Sequence, residues 1–286
     1  MSQQSFANLA DPIDAPVRQG ASGVGELVEF PKFPRSPLRY PGGKNRAVKA
    51  IYRLIPPNEE RLFSPFLGGG SIELACTSKM EVYGADIFEP LAAFWRVLLR
   101  DPEELANRVS VWLHKLTRTQ FYALQKRFVT LDDEVERAAQ FFVLNRSSFS
   151  GTTLSGGMSP DHPRFTPSAI ERIRNFRAER FRVEHADYRV SIPRHADAFL
   201  YLDPPYLTKQ GLYGVKGSTH RAFDHKTLAE MMRERDRWIM SYNECGEVRE
   251  LYRGYRIRPI EWVYGMTKDK QSKEVLIFSH DVPIAA

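Results

Sequence analysis

The sequence holds too few cysteines for a disulfide framework. Of its 286 residues only Cys76 and Cys245 are cysteines, and neither belongs to a Cys-x-x-Cys pair. The seven histidines are scattered along the chain, without the spacing and companions of a zinc site. The composition therefore excludes a disulfide-stabilised scaffold, and we expect no metal site.

Long apolar runs are missing as well. No segment reaches the roughly 18 consecutive apolar residues that a membrane-spanning helix needs. The N-terminus also lacks the basic-then-apolar pattern of a secretion signal. From these absences we expect a cytoplasmic protein with no membrane contact.

Two nucleotide-binding signatures are present only in part. Gly42-Gly43-Lys44 lacks the spacing of a phosphate loop, and no strand precedes it. Leu67-Gly68-Gly69-Gly70-Ser71 fails as a dinucleotide fingerprint because Glu73 stands where the third glycine belongs. A nucleoside triphosphate or dinucleotide site is therefore a poor interpretation of these glycines.

The bulk composition is that of a globular α/β protein. Hydrophobic residues make up 42% and charged residues 27%, while the formal net charge is +6 with a pI near 9.3. The length suits one large domain with a smaller insertion. The positive surplus suits a polyanionic partner such as nucleic acid.

A buried strand ends in an unusual sequence. The apolar run 198–202 predicts a strand, and Asp203-Pro204-Pro205-Tyr206 must stop it because prolines cannot continue a central strand. In an open α/β sheet the carboxyl ends of strands bind ligands, so we expect Asp203 and Tyr206 to project into a crevice. A carboxylate and a backbone carbonyl can accept both hydrogens of an exocyclic amine while the ring stacks on its base. The alternative is a plain turn with a capping aspartate.

Strands and helices alternate along the rest of the chain, which predicts an α/β sheet. Apolar runs bounded by turn residues predict six further strands, at 61–66, 81–85, 181–185, 238–242, 256–260 and 274–279. Helical spacing predicts helices at 47–55, 90–99, 133–144 and 225–235, among others.

Asp86 ends the second of these strands. An acid at this place can accept both hydroxyls of a ribose, although it can equally cap the helix that follows. The glycine turn 68–70 lies between a strand and a helix, where a ligand can approach bare backbone. Taken alone, such a turn is more often structural.

The predicted helix 133–144 is followed by a polar, glycine-rich stretch, from Asn145 to Gly151. A long loop inside a compact domain is usually functional or disordered. A solvated loop with a capping asparagine is the plain interpretation of this stretch.

Four motifs occur in one order: Tyr40-x-Gly-Gly-Lys44, Phe66-x-Gly-x-Gly-Ser71, Asn145-Arg146 with Phe149 and Gly151, and Asp203-Pro204-Pro205-Tyr206. Over about 40–280 the set resembles the Dam-like, class-alpha DNA adenine N6-methyltransferases. The resemblance implies a Rossmann-like, S-adenosylmethionine-dependent methyltransferase sheet with an inserted, mainly helical target-recognition subdomain. The expected division is a flexible arm at 1–35, a catalytic domain at 36–100 and 181–286, and the insertion at 101–180.

The resemblance also implies roles for single residues. Asp203, Pro204, Pro205 and Tyr206 would be catalytic, and Arg146, Ser147, Ser148 and Phe149 would contact DNA. The expected cofactor-binding residues are Tyr40, Gly43, Lys44, Phe66, Gly68, Gly70, Ser71, Asp86, Ile87, Asp187 and Asp203.

The expected reaction is site-specific methylation of a flipped-out adenine in double-stranded DNA, by a monomer or weak dimer with a cognate restriction endonuclease as a further partner. A cytosine N4-methyltransferase is the nearest rival, although that activity typically resembles Ser-Pro-Pro-Tyr at this site, so Asp203 favours adenine. A catalytically inactive DNA-binding relative is the alternative from another class. The segment after Gly151 lacks the arginine-rich hairpin expected for a reader of GATC sites, so that target is not implied.

Overall fold

A seven-stranded sheet organises the chain. The computed structural model describes residues 30–40, 42–159, 164–207, 223–260 and 274–283. Within them the strand order is β3-β2-β1-β4-β5-β7-β6. The strands are β1 Arg61–Ser64, β2 Glu81–Asp86, β3 Phe181–His185, β4 Phe199–Leu202, β5 Trp238–Asn243, β6 Arg256–Ile260 and β7 Glu274–Phe278.

The sheet is mixed, with a parallel part and an antiparallel edge. The strands β3, β2, β1, β4 and β5 are parallel, and β7 pairs antiparallel with both β5 and β6. Every residue of β4 and β5 is buried, as expected for strands covered on both faces. All seven predicted strands are confirmed, and the pair of β7 and β6 forms one edge of the sheet.

Helices cover both faces. Among the described residues they are α1 Val48–Leu54, α2 Ser71–Cys76, α3 Glu89–Arg100, α4 Pro102–Ser110, α5 Arg118–Arg127, α6 Glu134–Ser147, α7 Pro167–Arg174, α8 Tyr188–Arg194, α9 His225–Arg233 and α10 Gly246–Leu251. Side chains of Asp101, Thr117, Asp133, Thr166 and Asp224 accept from backbone N–H groups in the first turns of α4, α5, α6, α7 and α9. None of the helices in the described ranges is long and apolar enough to span a bilayer.

Alternating residues of the strands feed two hydrophobic clusters. Tyr201 and Ile239 point to the cluster that α1 to α7 cover, while Leu202 and Met240 point to the cluster under α8, α9 and α10. Successive side chains of a strand point to opposite faces of the sheet. A carboxylate or amide at a strand end therefore faces the same helical layer as the residue two positions before it. This alternation fixes which strand-end side chains can meet.

Helices α4 to α7 fill the region where the sequence predicts the insertion. The chain leaves the sheet after α3 and returns at β3, and α6 packs on α3 with the rings of Phe94 and Phe142 stacked at 5.6 Å. These helices share one hydrophobic cluster with the sheet. The domain boundaries at 100 and 181 stay a prediction.

The arm before the sheet is described from Phe30 onwards. Phe30 makes edge contacts with Phe33 and Tyr52, and both phenylalanines pack on the first cluster. These two rings hold the end of the segment against α1 and the first hydrophobic cluster. Residues 1–29 of the expected arm at 1–35 lie outside the described residues.

The end of α6 differs from its prediction. The helix runs to Ser147 instead of stopping near Leu144, so Asn145, Arg146 and Ser147 are helical. Ser147 and Ser148 are fully buried. The polar sequence reads as a loop, but tertiary hydrogen bonds stabilise it as helix: the Asn145 side chain accepts from Arg39 N and donates to the carbonyls of Arg39 and Gly151.

Asn145→Ala is expected to lower the free energy of unfolding by about 3 kcal/mol, because it leaves buried backbone groups of Arg39 and Gly151 unpaired. Equilibrium denaturation in urea measures the loss. Asn175→Ala is the matched control, since Asn175 is exposed and bonds only its own helix in the described structure. Equal effects of the two substitutions would contradict this role of Asn145.

Candidate active site

Asp203 follows the end of β4 and is held by Lys44. The Lys44 Nζ donates to both carboxylate oxygens at 2.8 Å and to the carbonyl of Gly42 at 3.0 Å. Lys44 is 6% exposed, and the side chain of Asp203 is 23% exposed. The first and last motifs of the sequence, 159 residues apart, thus meet in one ion pair.

Two opposing influences act on Asp203. Burial raises the pKa of its carboxyl above the ordinary value, and the nearby Lys44 ammonium offsets part of that rise. Glu274, at the start of β7, raises the pKa of Asp203 further through its negative charge. Asp203 is therefore a carboxylate that can hold a proton more readily than an exposed aspartate.

Tyr206 is placed differently from its prediction. Its ring does not project freely into a crevice: it is 5% exposed and belongs to the second hydrophobic cluster. It stacks on Tyr242 with ring centroids 5.8 Å apart, and Lys44 Nζ lies 5.1 Å from its centroid. Burying this large aromatic ring against Tyr242 is more favourable than leaving it exposed to water.

The glycine turn between β1 and α2 is built around two aromatic rings. Gly68 and Gly70 have positive φ angles of 49° and 65°. A Cβ on Gly68 would lie 3.0 Å from the ring of Tyr40, and one on Gly70 would lie 2.9 Å from the ring of Trp95. These glycines are therefore required by close packing inside the chain as well as by their backbone conformation.

Asp86 supports this turn from the end of β2. Its carboxylate accepts from the backbone N–H groups of Gly68 at 3.1 Å and Phe88 at 2.9 Å. Burial raises the pKa of Asp86 to about 6, although both hydrogen bonds lower it. A carboxylate has about four acceptor sites, so Asp86 keeps capacity for further donors.

Glu73 is a second buried acid, in the first turns of α2. The Ser64 Oγ lies 2.5 Å from Glu73 Oε1 and 3.0 Å from the carbonyl of Tyr201. Burial raises the pKa of Glu73 to about 7. The Ser64 hydroxyl thus lies between these two oxygens and can donate its hydrogen to either one.

These elements enclose one cavity of about 470 Å³. All eleven residues that the sequence predicts for cofactor binding line it: Tyr40, Gly43, Lys44, Phe66, Gly68, Gly70, Ser71, Asp86, Ile87, Asp187 and Asp203. Of the predicted catalytic residues, Asp203 and Pro205 line it, whereas the buried Pro204 and Tyr206 do not. The carboxylate of Asp187 caps α8 by accepting from Arg189 N at 2.8 Å.

Several lining residues were not predicted from the sequence. Glu73 lines the cavity, and Phe66, Tyr188 and Phe223 form an aromatic cluster in its wall with centroids 5.3 to 5.5 Å apart. Tyr188 directly follows the predicted strand-end acid Asp187, a signal that could have revealed it. Phe223 comes from a distant segment, and no local pattern marks it.

Arg146 lies in a group of four arginines. It donates to the carbonyls of Arg164 at 2.8 Å and Pro37 at 3.3 Å. Burial, together with the charges of Arg172, Arg39 and Arg164, lowers the pKa of Arg146 to about 10. Within the described residues no carboxylate forms a salt bridge with any of the four.

Phe149 is exposed on a rigid turn. Its side chain is 66% exposed. The turn is fixed by the Phe149 N–H bond to the Gly157 carbonyl at 2.9 Å, and by Gln125 Nε2 bonds to the carbonyls of Thr153 and Gly156. Of the four predicted DNA-contacting residues, the structure thus presents Phe149 to solvent, keeps Arg146 partly buried and buries Ser147 and Ser148.

Comparison with known proteins finds a matching family and several relatives. A family model described as D12 class N6 adenine-specific DNA methyltransferase matches residues 40–266. The DNA N-6-adenine-methyltransferase of Escherichia phage P1 is 25% identical over 248 residues, which cover 80% of this chain and 33% of the phage protein.

Two type II methyltransferases are similar over most of their own length. M1.LlaDCHI of Lactococcus lactis subsp. cremoris is 24% identical, with 78% of this chain and 86% of the relative covered. M.MjaIII of Methanocaldococcus jannaschii is 25% identical, with 78% and 89% covered. The chain therefore spans a third of the phage relative and nearly all of the other two.

Proposed function

Because the chain belongs to the D12 class N6 adenine-specific DNA methyltransferases, we propose that it transfers a methyl group from S-adenosylmethionine to N6 of a flipped-out adenine in duplex DNA. The observation that carries the proposal is Asp203, a strand-end carboxylate at the border of a 470 Å³ cavity whose walls hold a glycine turn and a second strand-end acid. The carboxylate that would accept hydrogens from the adenine amine therefore lies next to the proposed cofactor pocket.

The cavity fits S-adenosylmethionine in its chemistry. Asp86 keeps acceptor sites for ribose hydroxyls, Asp187 can accept from the amine of the donor's adenine, and the ring of Tyr40 lies against the glycine turn where the methionyl part would pack. The aromatic cluster of Phe66, Tyr188 and Phe223 offers apolar surface. S-adenosylmethionine, when bound, would supply the methyl group of its sulfonium, and the broken carbon–sulfur bond would leave a neutral thioether as the leaving group.

Asp203 and the Pro204 carbonyl would act on the target base. The adenine N6 lone pair is delocalised into the ring, so the amine is a poor nucleophile and the base must leave the stack before it can react. Asp203 and Pro204 accept the two amine hydrogens, which orients the nitrogen and raises its electron density. As the N6–CH₃ bond forms, N6 gains positive charge and releases a proton, which the raised pKa of Asp203 suits it to accept.

Lys44 keeps Asp203 charged before the substrate binds. Its ammonium contacts both carboxylate oxygens, and each oxygen retains further lone-pair capacity for an N–H donor. Tyr206, stacked on Tyr242 and fixed by this packing, is proposed as the aromatic surface beside the base. Transfer follows from position and charge, without a covalent intermediate on the protein.

The DNA would lie across the four arginines and Phe149. Arg39, Arg146, Arg164 and Arg172 concentrate positive charge where no described carboxylate neutralises it, which suits a phosphate backbone. Phe149, three residues after Arg146 in the chain, presents an exposed apolar side chain. Ser147 and Ser148 are buried, so any contact of theirs with DNA is proposed only through the backbone that they position.

Arg164→Ala combined with Arg172→Ala is expected to weaken duplex DNA binding about tenfold or more at 0.1 M salt. Two lost phosphate contacts would reduce the slope of log K against log salt by about 1.8. Fluorescence anisotropy with a labelled duplex over a salt series measures both. Arg253→Ala is the matched control, because Arg253 is exposed and pairs with Glu250 on the opposite helical layer. An unchanged slope in the double variant would contradict the phosphate contacts.

Purified protein, labelled S-adenosylmethionine and unmethylated plasmid DNA test the reaction. Nucleoside digestion with mass spectrometry should find N6-methyldeoxyadenosine. N4-methyldeoxycytidine instead would establish the cytosine alternative, and DNA binding without any methylated nucleoside would establish the inactive relative.

A restriction endonuclease is a further partner that we propose for this protein. Two relatives are named type II methyltransferases, and on that basis we include a cognate restriction endonuclease. The proposed acting species is a monomer or weak dimer in the cytoplasm.

A further inference from the structure

Asn243 is a buried side chain without a hydrogen-bond partner among the described residues. It is 6% exposed, and neither its amide nitrogen nor its amide oxygen has a hydrogen-bond partner in the part of the chain that the structure describes. Buried polar groups in folded proteins are nearly always paired. Asn243 is the last residue of β5, at the carboxyl edge of the sheet where α/β folds bind ligands. Its amide groups are therefore available to a bound molecule.

The face of the sheet that Asn243 occupies is the face of Asp203. The hydroxyls of Tyr201 and Ser241 lie 2.9 Å apart, so these residues of the parallel neighbours β4 and β5 share one face. Asp203 and Asn243 each follow two residues later, and side chains two residues apart point the same way. The carboxylate and the carboxamide thus lie at the ends of adjacent strands.

Glu274 extends this arrangement to a third strand. It is directly opposite Asn243 in the antiparallel register of β5 and β7, and it is buried. Its charge acts on Asp203, so the three side chains occupy one neighbourhood. Asp203, Asn243 and Glu274 form a row, which we call the acceptor row.

The acceptor row leads away from the cofactor cavity. Lining residues of that cavity follow β1, β2, β3 and β4, and of the row only Asp203 is among them. Asn243 and Glu274 are on the β5 and β7 side. Asp203 is therefore the boundary between the proposed donor site and the acceptor row, which is the place that the target base must take for its amine to reach Asp203.

Building on the adenine methyltransferase function proposed above, we propose that the Asn243 carboxamide donates a hydrogen bond to a ring nitrogen of the flipped adenine, next to the amine that Asp203 accepts. In adenine the exocyclic amine is flanked by N1 and N7, and both only accept. Of the three side chains in the acceptor row, only Asn243 carries N–H donors. The two carboxylates accept hydrogens from an amine and repel the oxygen of a carbonyl group. The acceptor row therefore favours a base that carries an exocyclic amine over one that carries a carbonyl at the same place.

Atom-specific analogues of the target base test this contact. The substrate is a duplex with the site that methylation sequencing identifies, carrying adenine, 7-deazaadenine or 1-deazaadenine at the target position. We expect wild type to lose about 10- to 100-fold in kcat/KM with one analogue, as for one missing hydrogen bond. Asn243→Ala should lose a similar factor with natural adenine and should no longer distinguish that analogue from adenine.

Two further measurements separate this contact from a structural role. Asn243→Ala should melt at or above the wild-type temperature and bind S-adenosylmethionine unchanged, because the amide has no partner to lose. Ser241→Ala is the matched control on the same strand and face: its hydroxyl already bonds Tyr201, so this variant should keep the wild-type preference among the three bases.

Different results would contradict the Asn243 contact and the proposed function. The contact is refuted if wild type methylates all three bases at one rate, or if Asn243→Ala retains the wild-type preference. Wild-type protein that methylates no natural adenine would overturn the proposed function together with this inference.

Discussion

Asp203→Ala is expected to lower the rate of methyl transfer on the order of a thousandfold or more, with S-adenosylmethionine binding much less affected. The substitution removes an acceptor for the amine hydrogens and the group that takes the proton of N6, and such losses cost about 10²- to 10⁴-fold. Single-turnover methylation of duplex DNA measures the rate, and calorimetric titration measures cofactor binding.

The Asp203→Ala variant also leaves Lys44 without its carboxylate, in a place where Lys44 is 6% exposed. Breaking a buried pair destabilises a protein by about 3–5 kcal/mol, so thermal unfolding must accompany the assay. Asp203→Asn keeps one acceptor oxygen and the shape of the side chain, and we expect it to fold and to retain more activity than the alanine variant. A folded Asp203→Ala protein with near wild-type turnover would contradict the assigned role.

Asp86→Ala is expected to weaken S-adenosylmethionine binding on the order of a hundredfold. The substitution removes the proposed acceptor of the ribose hydroxyls, and hydrogen bonds to a charged group contribute about 1.5–3 kcal/mol. It also frees the N–H groups of Gly68 and Phe88 that the carboxylate holds. Titration calorimetry measures the affinity. Asp197→Ala, at an exposed aspartate outside the cavity lining, is the control that should bind normally.

The pH dependence of cofactor binding follows from the raised pKa of Asp86. The carboxyl titrates at about 6 in the folded protein, and ribose hydroxyls donate to its ionised form. Affinity is therefore full above this pH and should fall as the pH drops through 6. Glu73, with a pKa of about 7, titrates nearby, so Asp86→Asn and Glu73→Gln are compared. Only Asp86→Asn should abolish the fall below pH 6, and an unchanged profile in that variant would contradict the assignment.

The strands and their end residues were predictable from the sequence for a physical reason. Apolar runs such as 198–202 are bounded by prolines or glycines, and acids follow them directly. Because parallel strands end at one edge of the sheet, the acids that follow β2, β3 and β4 can meet, and the structure lines one cavity with Asp86, Asp187 and Asp203. The role of Asp187 was implied by the family resemblance and not by the strand pattern. What binds there stays a proposal.

Tertiary packing decided the features that the sequence did not predict. Asn145, Ser147 and Ser148 are typical loop residues, but α6 continues through Ser147 because Asn145 pairs with the distant Arg39. Tyr206 was expected in a crevice and is instead buried against Tyr242. Neither partner is near in sequence, so no local pattern could identify them.

The hydrogen bonds between neighbouring strands near the site could not be predicted from the sequence either. The bonds from Ser64 to Glu73 and between Tyr201 and Ser241 depend on the strand order, which places β1, β4 and β5 side by side. The unpartnered amide of Asn243 likewise becomes apparent only when its neighbours are known.

Sequencing of plasmid DNA with base-modification detection, from a methylation-deficient host that expresses wild type or Asp203→Ala, tests the central claim most directly. We predict N6-methyladenine at one short sequence motif with the wild type and none with the variant. Unmodified adenines in both samples, with both proteins present and folded, would contradict the assignment of this chain as a DNA adenine methyltransferase.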